Sequence, residues 1–143
     1  MILLDTNVVS ENLRPQPSTI VVAWIDAQSA HELYLCTPVL AELRFGVERL
    51  APGRRRTNLQ AAIDRIENSY FRGRILPLDI AASAAYGRIA ATRERMGRRI
   101  EQMDALIAAI ALAQRAPLAT RDIGHFSDLG LDLINPFEVT PNS

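Results

Sequence analysis

The run DALIAAIALA, from Asp104 to Ala113, constrains the fold more than any other stretch of the chain. As a helix it is apolar almost all round, so it must be sandwiched in the interior rather than laid on a surface. It is also too short to cross a bilayer, which takes about 20 apolar residues. A helix buried on every side needs other layers around it, and the rest of the chain supplies them as short apolar runs alternating with helical segments. Met1–Leu4 is apolar and leaves no room for a helix before Asp5, which predicts a buried central strand. The residues at 32–36, 74–77, 118–120 and 133–134 predict four further strands.

Helical signals fill the gaps. Thr6 and Asn7 open a helix that Pro15 and Pro17 end, and Ser18 caps the next, STIVVAWIDAQ. Thr37 reads as a cap with Pro38 at the first helical position, ahead of a stripe of Leu40, Leu43, Val47 and Leu50. A longer helix runs from Gly53 and Arg54 to about Tyr70, and Asp79 caps an Ala-rich one to about Met96. The fold expected is therefore α/β, three layers α/β/α with a central, mainly parallel sheet of about five strands. One domain over residues 1–137 accounts for the pattern, with 138–143 as a tail. A hydrophobic share of 48% with only 6% aromatic favours helices on a sheet over a β-sandwich.

Four acids stand next to apolar runs that have to be core: Asp5 in ILLDTN, Glu42 in PVLAELRFG, Asp104 in QMDALIAA and Asp122 in LATRDIGHF. A carboxylate at the edge of a core is costly unless a cation offsets it. In a doubly wound sheet, ligands bind beyond the carboxyl ends of the strands, where Asp5 and Asp122 are expected. Each acid also has a structural explanation. Asp104 can cap its helix, Asp5 can form a strand-end turn, Asp122 can cap a loop, and a mid-helix Glu42 can face solvent. Taken together, the four point to a divalent metal site and to phosphodiester hydrolysis.

In their order and spacing, DTNVVSE, AELRFG, DALIAAIALA and LATRDIGHF followed by LINPF resemble the PIN-domain family, and within it the VapC/FitB-like toxin ribonucleases. The resemblance covers residues 1 to about 137. It implies a metal-dependent endoribonuclease in which Asp5, Glu42, Asp104 and Asp122 hold Mg²⁺, with Mn²⁺ able to substitute. Hard cations take hard oxygen ligands, and a bound water becomes a nucleophile toward phosphorus. The resemblance further implies a type II toxin whose antitoxin covers the groove, DNA bound only indirectly through that antitoxin, and a homodimer formed through helices, for which the apolar surfaces of the first helices are candidates. The alternative reading is an inactive PIN-like module whose acidic pocket binds a basic partner segment.

Supporting residues carry double readings. Thr120, two residues before Asp122, can orient the Asp5 carboxylate or merely end a strand. Thr6 and Asn7 offer a hydroxyl and an amide near a phosphate, though plain capping explains Asn7. Arg121 can touch substrate phosphate or an acidic partner. Glu101 reads as solvated loop charge, Asp128 and Asp132 as turn residues, and His125 as exposed beside a core-anchoring Phe126. Neither His125 nor His31 has the companions of a zinc site.

All 16 basic residues are arginine and balance 16 acids. With no lysine, phosphatases of the haloacid-dehalogenase type, receiver domains and P-loop nucleotidases are excluded. Arginine forks still bind phosphate bidentately, so Arg54–Arg56 and Arg93, Arg95, Arg98 and Arg99 are either RNA guides or solvated helix faces. Aromatic residues are too few for a base-stacking platform. A lone Cys36 in an apolar run excludes a disulfide framework and fits reducing cytoplasm. MILLDTN has no basic region ahead of its apolar residues, so no secretory signal and no membrane anchor are expected.

Overall fold

The computed structural model describes residues 1–138; the tail expected beyond 137 lies almost wholly outside them. Five short strands, β1 (Ile2–Leu4), β2 (Leu33–Cys36), β3 (Ile75–Leu76), β4 (Leu118–Ala119) and β5 (Leu133–Ile134), form a sheet in the order β3-β2-β1-β4-β5. Every pairing is parallel, with Leu3 opposite both Tyr34 of β2 and Leu118 of β4. The sheet grows outward in both directions from β1. With right-handed crossovers, that topology puts helices on both faces and makes the β1/β4 seam the switch point.

The helices are α1 (Thr6–Asn12), α2 (Thr19–Ala27), α3 (Thr37–Glu48), α4 (Arg54–Arg65), α5 (Ile80–Arg95), α6 (Gln102–Gln114) and α7 (Ile123–Phe126). Ser18 and Asp79 cap α2 and α5 through side-chain bonds to Val21 N and Ala82 N, as their positions predict. Two expected caps move. Cys36 precedes α3, so Thr37 is its first helical residue, and Glu101 precedes α6, so Asp104 sits inside the first turn. That removes the capping explanation for Asp104. The α4 segment continues to Tyr70 as a π-helical turn, Ile66–Tyr70.

The interior helix behaves as its sequence demands. Ala105, Ile107, Ala108, Ala109, Ile110 and Ala111 are all buried, and α6 packs along α5. On α3 the fully buried stripe is Val39, Leu43 and Val47, while Leu40 and Leu50 are only half-buried. Leu3, Leu35 and Leu118, fully buried on adjacent strands, form the middle of the core, and Phe126 pins α7 against it. No helix among the described residues is long and apolar enough to cross a membrane.

Candidate active site

Asp5 follows β1 at the switch point and caps α1, with Oδ1 accepting from Thr6 N at 2.8 Å. Its other oxygen, Oδ2, accepts from the Thr120 hydroxyl at 2.7 Å and from the Asn7 amide at 3.3 Å. Asp5 is 4% exposed and Thr120 fully buried. The β1–β4 pairing creates this contact: Asp5 N donates to Ala119 O at 2.9 Å, which brings the residue after each strand side by side. Thr120 Oγ1 also accepts from Asp122 N at 3.0 Å, so one hydroxyl orients one acid and fixes the backbone of the next.

Asn7 ties the same residues from the helix side. Its amide donates to Asp122 Oδ2 at 3.1 Å, and its Oδ1 accepts from Arg121 N at 3.1 Å. The capping role expected of Asn7 belongs to Asp5 instead. Glu42, projecting from α3, accepts from the Thr6 hydroxyl at 2.6 Å. Asp104, from the first turn of α6, lies 3.4 Å from His125 Nδ1, which is also 4.0 Å from Asp122 Oδ2.

The four acids therefore share one edge of the sheet, although each reaches it from a different element. Burial raises the Asp5 pKa to about 6, with Thr120 and the Thr6 N–H opposing the shift and the charges of Asp104 and Glu42 adding to it. Burial also raises Asp104, an effect opposed by His125 and reinforced by Glu101 and Glu42. Each of the two feels Glu42, and Asp5 feels Asp104, so these acids repel one another across a shared space. Among the described residues, no three Asp, Glu, His or Cys side chains stand close enough to enclose an ion as they are. Magnesium, however, is usually held by one or two carboxylates and keeps several waters, so an open rim of hard oxygens suits it. The all-oxygen donor set and the destabilised Asp5 carboxylate fit a divalent cation.

Several features escaped the sequence. His125 is 63% exposed, as expected, yet it stands between Asp104 and Asp122 because α7 turns the chain back over the site. Arg93 is no part of a solvated face: it is 3% exposed and donates from Nη2 to the carbonyls of His125 and Ser127 at 2.9 and 2.7 Å. Arg121 stacks its guanidinium 4.7 Å from the Phe137 ring centre. Of the other expected arginines, Arg56 pairs with Glu48 and Arg98 with Asp128, while Arg54 and Arg55 line a groove that opens beside Glu42.

The model of the PIN domain matches residues 2–130. The chain is 44% identical to the VapC ribonuclease Y4jK of Sinorhizobium fredii over 96% of its own length and 99% of that protein's. It is 41% identical to the toxin FitB of Neisseria gonorrhoeae, again over 96% and 99%. Among solved structures, FitAB bound to an IR36 DNA fragment superposes with a TM-score of 0.91 at 38% identity, covering both chains completely. PIN nucleases are metal-dependent. The chain belongs to the PIN-domain family, and within it to the toxin ribonucleases of the VapC and FitB type.

Proposed function

We propose that this one-domain chain is a cytoplasmic endoribonuclease, the toxin of a type II toxin–antitoxin pair, and that Asp5, Glu42, Asp104 and Asp122 hold Mg²⁺ or, in its place, Mn²⁺. The observation that carries the reading is the buried Asp5 carboxylate, fixed by Thr120 and Asn7 at the switch point beside three further acids. When bound, the cation supplies water activation and neutralisation of charge on the phosphoryl oxygens. The chain's own residues supply the positions. Thr120 and the Thr6 N–H lock the Asp5 rotamer, the Thr6 hydroxyl holds Glu42, and Asn7 spans Asp5 and Asp122. Preset ligands spare the site a rearrangement when substrate arrives. Arg121, whose side chain is engaged by Phe137, contributes its backbone N–H to orienting Asn7.

A groove of about 690 Å³ opens beside Glu42, lined by Leu13, Leu43, Leu59 and Ile63 together with Arg14, Arg54 and Arg55. Its apolar walls and basic residues suit an amphipathic antitoxin segment carrying acids, which would cover the site; DNA would be reached through that antitoxin. A homodimer completes the assembly. Its expected face on the first helices has Ile20 39% exposed, whereas Ile80, at 91%, and Tyr70, at 67%, are the most exposed large apolar residues.

The test is cleavage of a labelled single-stranded RNA by antitoxin-free protein in Mn²⁺. Loss of cleavage in EDTA and in Asp5→Ala is the expected result. Cleavage that survives either change overturns the assignment, and tight binding of a basic peptide without any cleavage would support the inactive-module alternative.

A further inference from the structure

A second, smaller pocket of about 250 Å³ shares Asp104 and His125 with the acidic edge and is otherwise lined by Arg93, Arg98, Arg99, Ile100, Glu101 and Gly124. Its lining sets three arginines against the two carboxylates of Glu101 and Asp104. Arg93 is 3% exposed and pairs with no carboxylate among the described residues; its Nη2 is satisfied by two carbonyls, and its Nε has no partner. A guanidinium stays charged under all ordinary conditions, so this is a buried, uncompensated positive charge. Arg98 and Arg99 follow Gly97, whose φ of 69° turns the chain between α5 and α6 and brings both into the lining of the pocket. Arg98 has a single exposed carboxylate contact, to Asp128 at 3.2 Å, and Arg99 has none among the described residues.

Resting on the ribonuclease reading, we propose that this pocket binds a backbone phosphate of the RNA adjoining the one cleaved. Two arginine forks presented over a buried third charge suit a phosphate, whose oxygens accept bidentate bonds. Glu101 opposes an anion here and restricts the fit to a ligand that approaches from the arginine side. Asp104 opposes it too until a cation occupies the edge, so phosphate and metal binding are expected to reinforce each other. Gly124 lines the pocket, and a side chain can be placed there without a clash, since a Cβ built on it meets nothing within 4 Å and its φ is not positive.

The experiment measures RNA affinity against salt by fluorescence anisotropy, on a cleavage-dead Asp5→Asn background so that binding is read apart from chemistry. The double variant Arg98→Gln/Arg99→Gln is expected to bind single-stranded RNA at least about tenfold more weakly at low salt, with the log–log salt slope reduced by about 0.7 because one phosphate is no longer neutralised. Gly124→Leu, which blocks the pocket without removing a charge, should weaken binding likewise. A single methylphosphonate walked along the RNA should cost the parent protein affinity at one position beside the cleaved bond and cost the double variant nothing there. Unchanged affinity and slope in both variants overturn the proposal, as does a methylphosphonate penalty equal in parent and variant. If these variants instead lose binding to an acidic antitoxin peptide while RNA binding is unchanged, the pocket serves the partner and the proposal is likewise overturned. Failure of the nuclease reading itself would appear separately, as absence of cleavage by the wild-type chain.

Discussion

The Thr120 hydroxyl donates to Asp5 at 2.7 Å and accepts from Asp122 N at 3.0 Å, so a single buried oxygen links the acids that follow β1 and β4. Replacing it with valine keeps the volume and removes both bonds, along with a longer one of 3.4 Å that it accepts from the Asn7 amide. The Asp5 carboxylate loses a donor that holds its pKa down, so that pKa climbs above about 6. Thr120→Val should therefore shift the acid limb of the cleavage–pH profile to higher pH, with a larger loss at pH 6 than at pH 8, while Thr120→Ser retains the profile. The Asp122 N–H loses its acceptor and Asp5 Oδ2 keeps only the 3.3 Å bond from Asn7, which should also cost about 1–3 kcal/mol in urea unfolding. An unshifted acid limb would mean that Thr120 only ends a strand.

Asp5 opposes the folding of the metal-free protein at neutral pH. Its pKa is 3.8 ordinarily and about 6 in the fold, so the native state binds the proton more tightly than the unfolded chain. Stability from that proton is fully present below about pH 4 and is lost as pH rises through about 6. The difference corresponds to about 3 kcal/mol. Burial shifts Asp104 in the same direction. In EDTA, wild-type unfolding free energy should fall between about pH 4 and 6, whereas Asp5→Asn should show a shallower fall and exceed wild type at pH 7. A variant less stable than wild type at pH 7 would contradict this.

The same cost of a buried carboxylate charge, with the repulsion from Asp104 and Glu42 added to it, predicts how metal acts. A cation that binds only the folded state stabilises it by about 2.7 kcal/mol at one hundred times its dissociation constant. Thermal melts in Mg²⁺ and in Mn²⁺ should rise over those in EDTA for wild type, and the rise should shrink in Asp5→Asn and Asp104→Asn. Equal shifts in wild type and both variants would place the cation elsewhere on the molecule.

The α/β class was readable because its signals are local. Each strand is a short apolar run, Ser18 and Asp79 announce the helices they cap, and the all-round apolar α6 can only be interior. The acids Asp5, Glu42, Asp104 and Asp122 were legible as outliers beside such runs. What could not be read was pairing across the chain. Arg93 looks like a helix-surface charge in ATRERMGRR, and only the fold reveals that the carbonyls of His125 and Ser127 close over it. His125 reaches Asp104 because the four-residue α7, too short for any periodic signal, reverses the chain there. Arg74 likewise joins the carbonyls of Ala30, Leu33 and Tyr70, residues with no pattern in common.

That arginine offers a control for the site variants. Its guanidinium satisfies three carbonyls near the starts of β2 and β3 and lies 5.2 Å from the Phe71 ring centre, away from the acids. Arg74→Ala should destabilise the fold by about 2–4 kcal/mol, from charged hydrogen bonds worth about 1.5–3 kcal/mol and the loss of packing. Cleavage per folded molecule should be unchanged at temperatures where the variant remains folded. A parallel loss of catalysis would show that this end of the sheet is coupled to the site.

Cys36 can report on the floor of that site from within. It is fully buried at the end of β2, and its thiol is pushed up to about 12, first by burial and then by the charges of Asp5 and Glu42, against a backbone bond near Val39. Only the thiolate reacts, so the native protein should resist a thiol reagent at pH 8, and labelling should follow opening of the structure. Two kinds of opening predict different results. If global unfolding exposes Cys36, saturating Mg²⁺ should slow labelling by the same factor by which it raises the folding constant. If the α3 start lifts off locally, exposing Cys36 and displacing Glu42 together, Thr6→Val should speed labelling more than its effect on global stability explains, because it removes the 2.6 Å bond that ties Glu42 of α3 to Thr6 of α1, leaving the burial of Pro38 and Val39 to hold that end. Rapid labelling of the native protein, insensitive to metal, would contradict both.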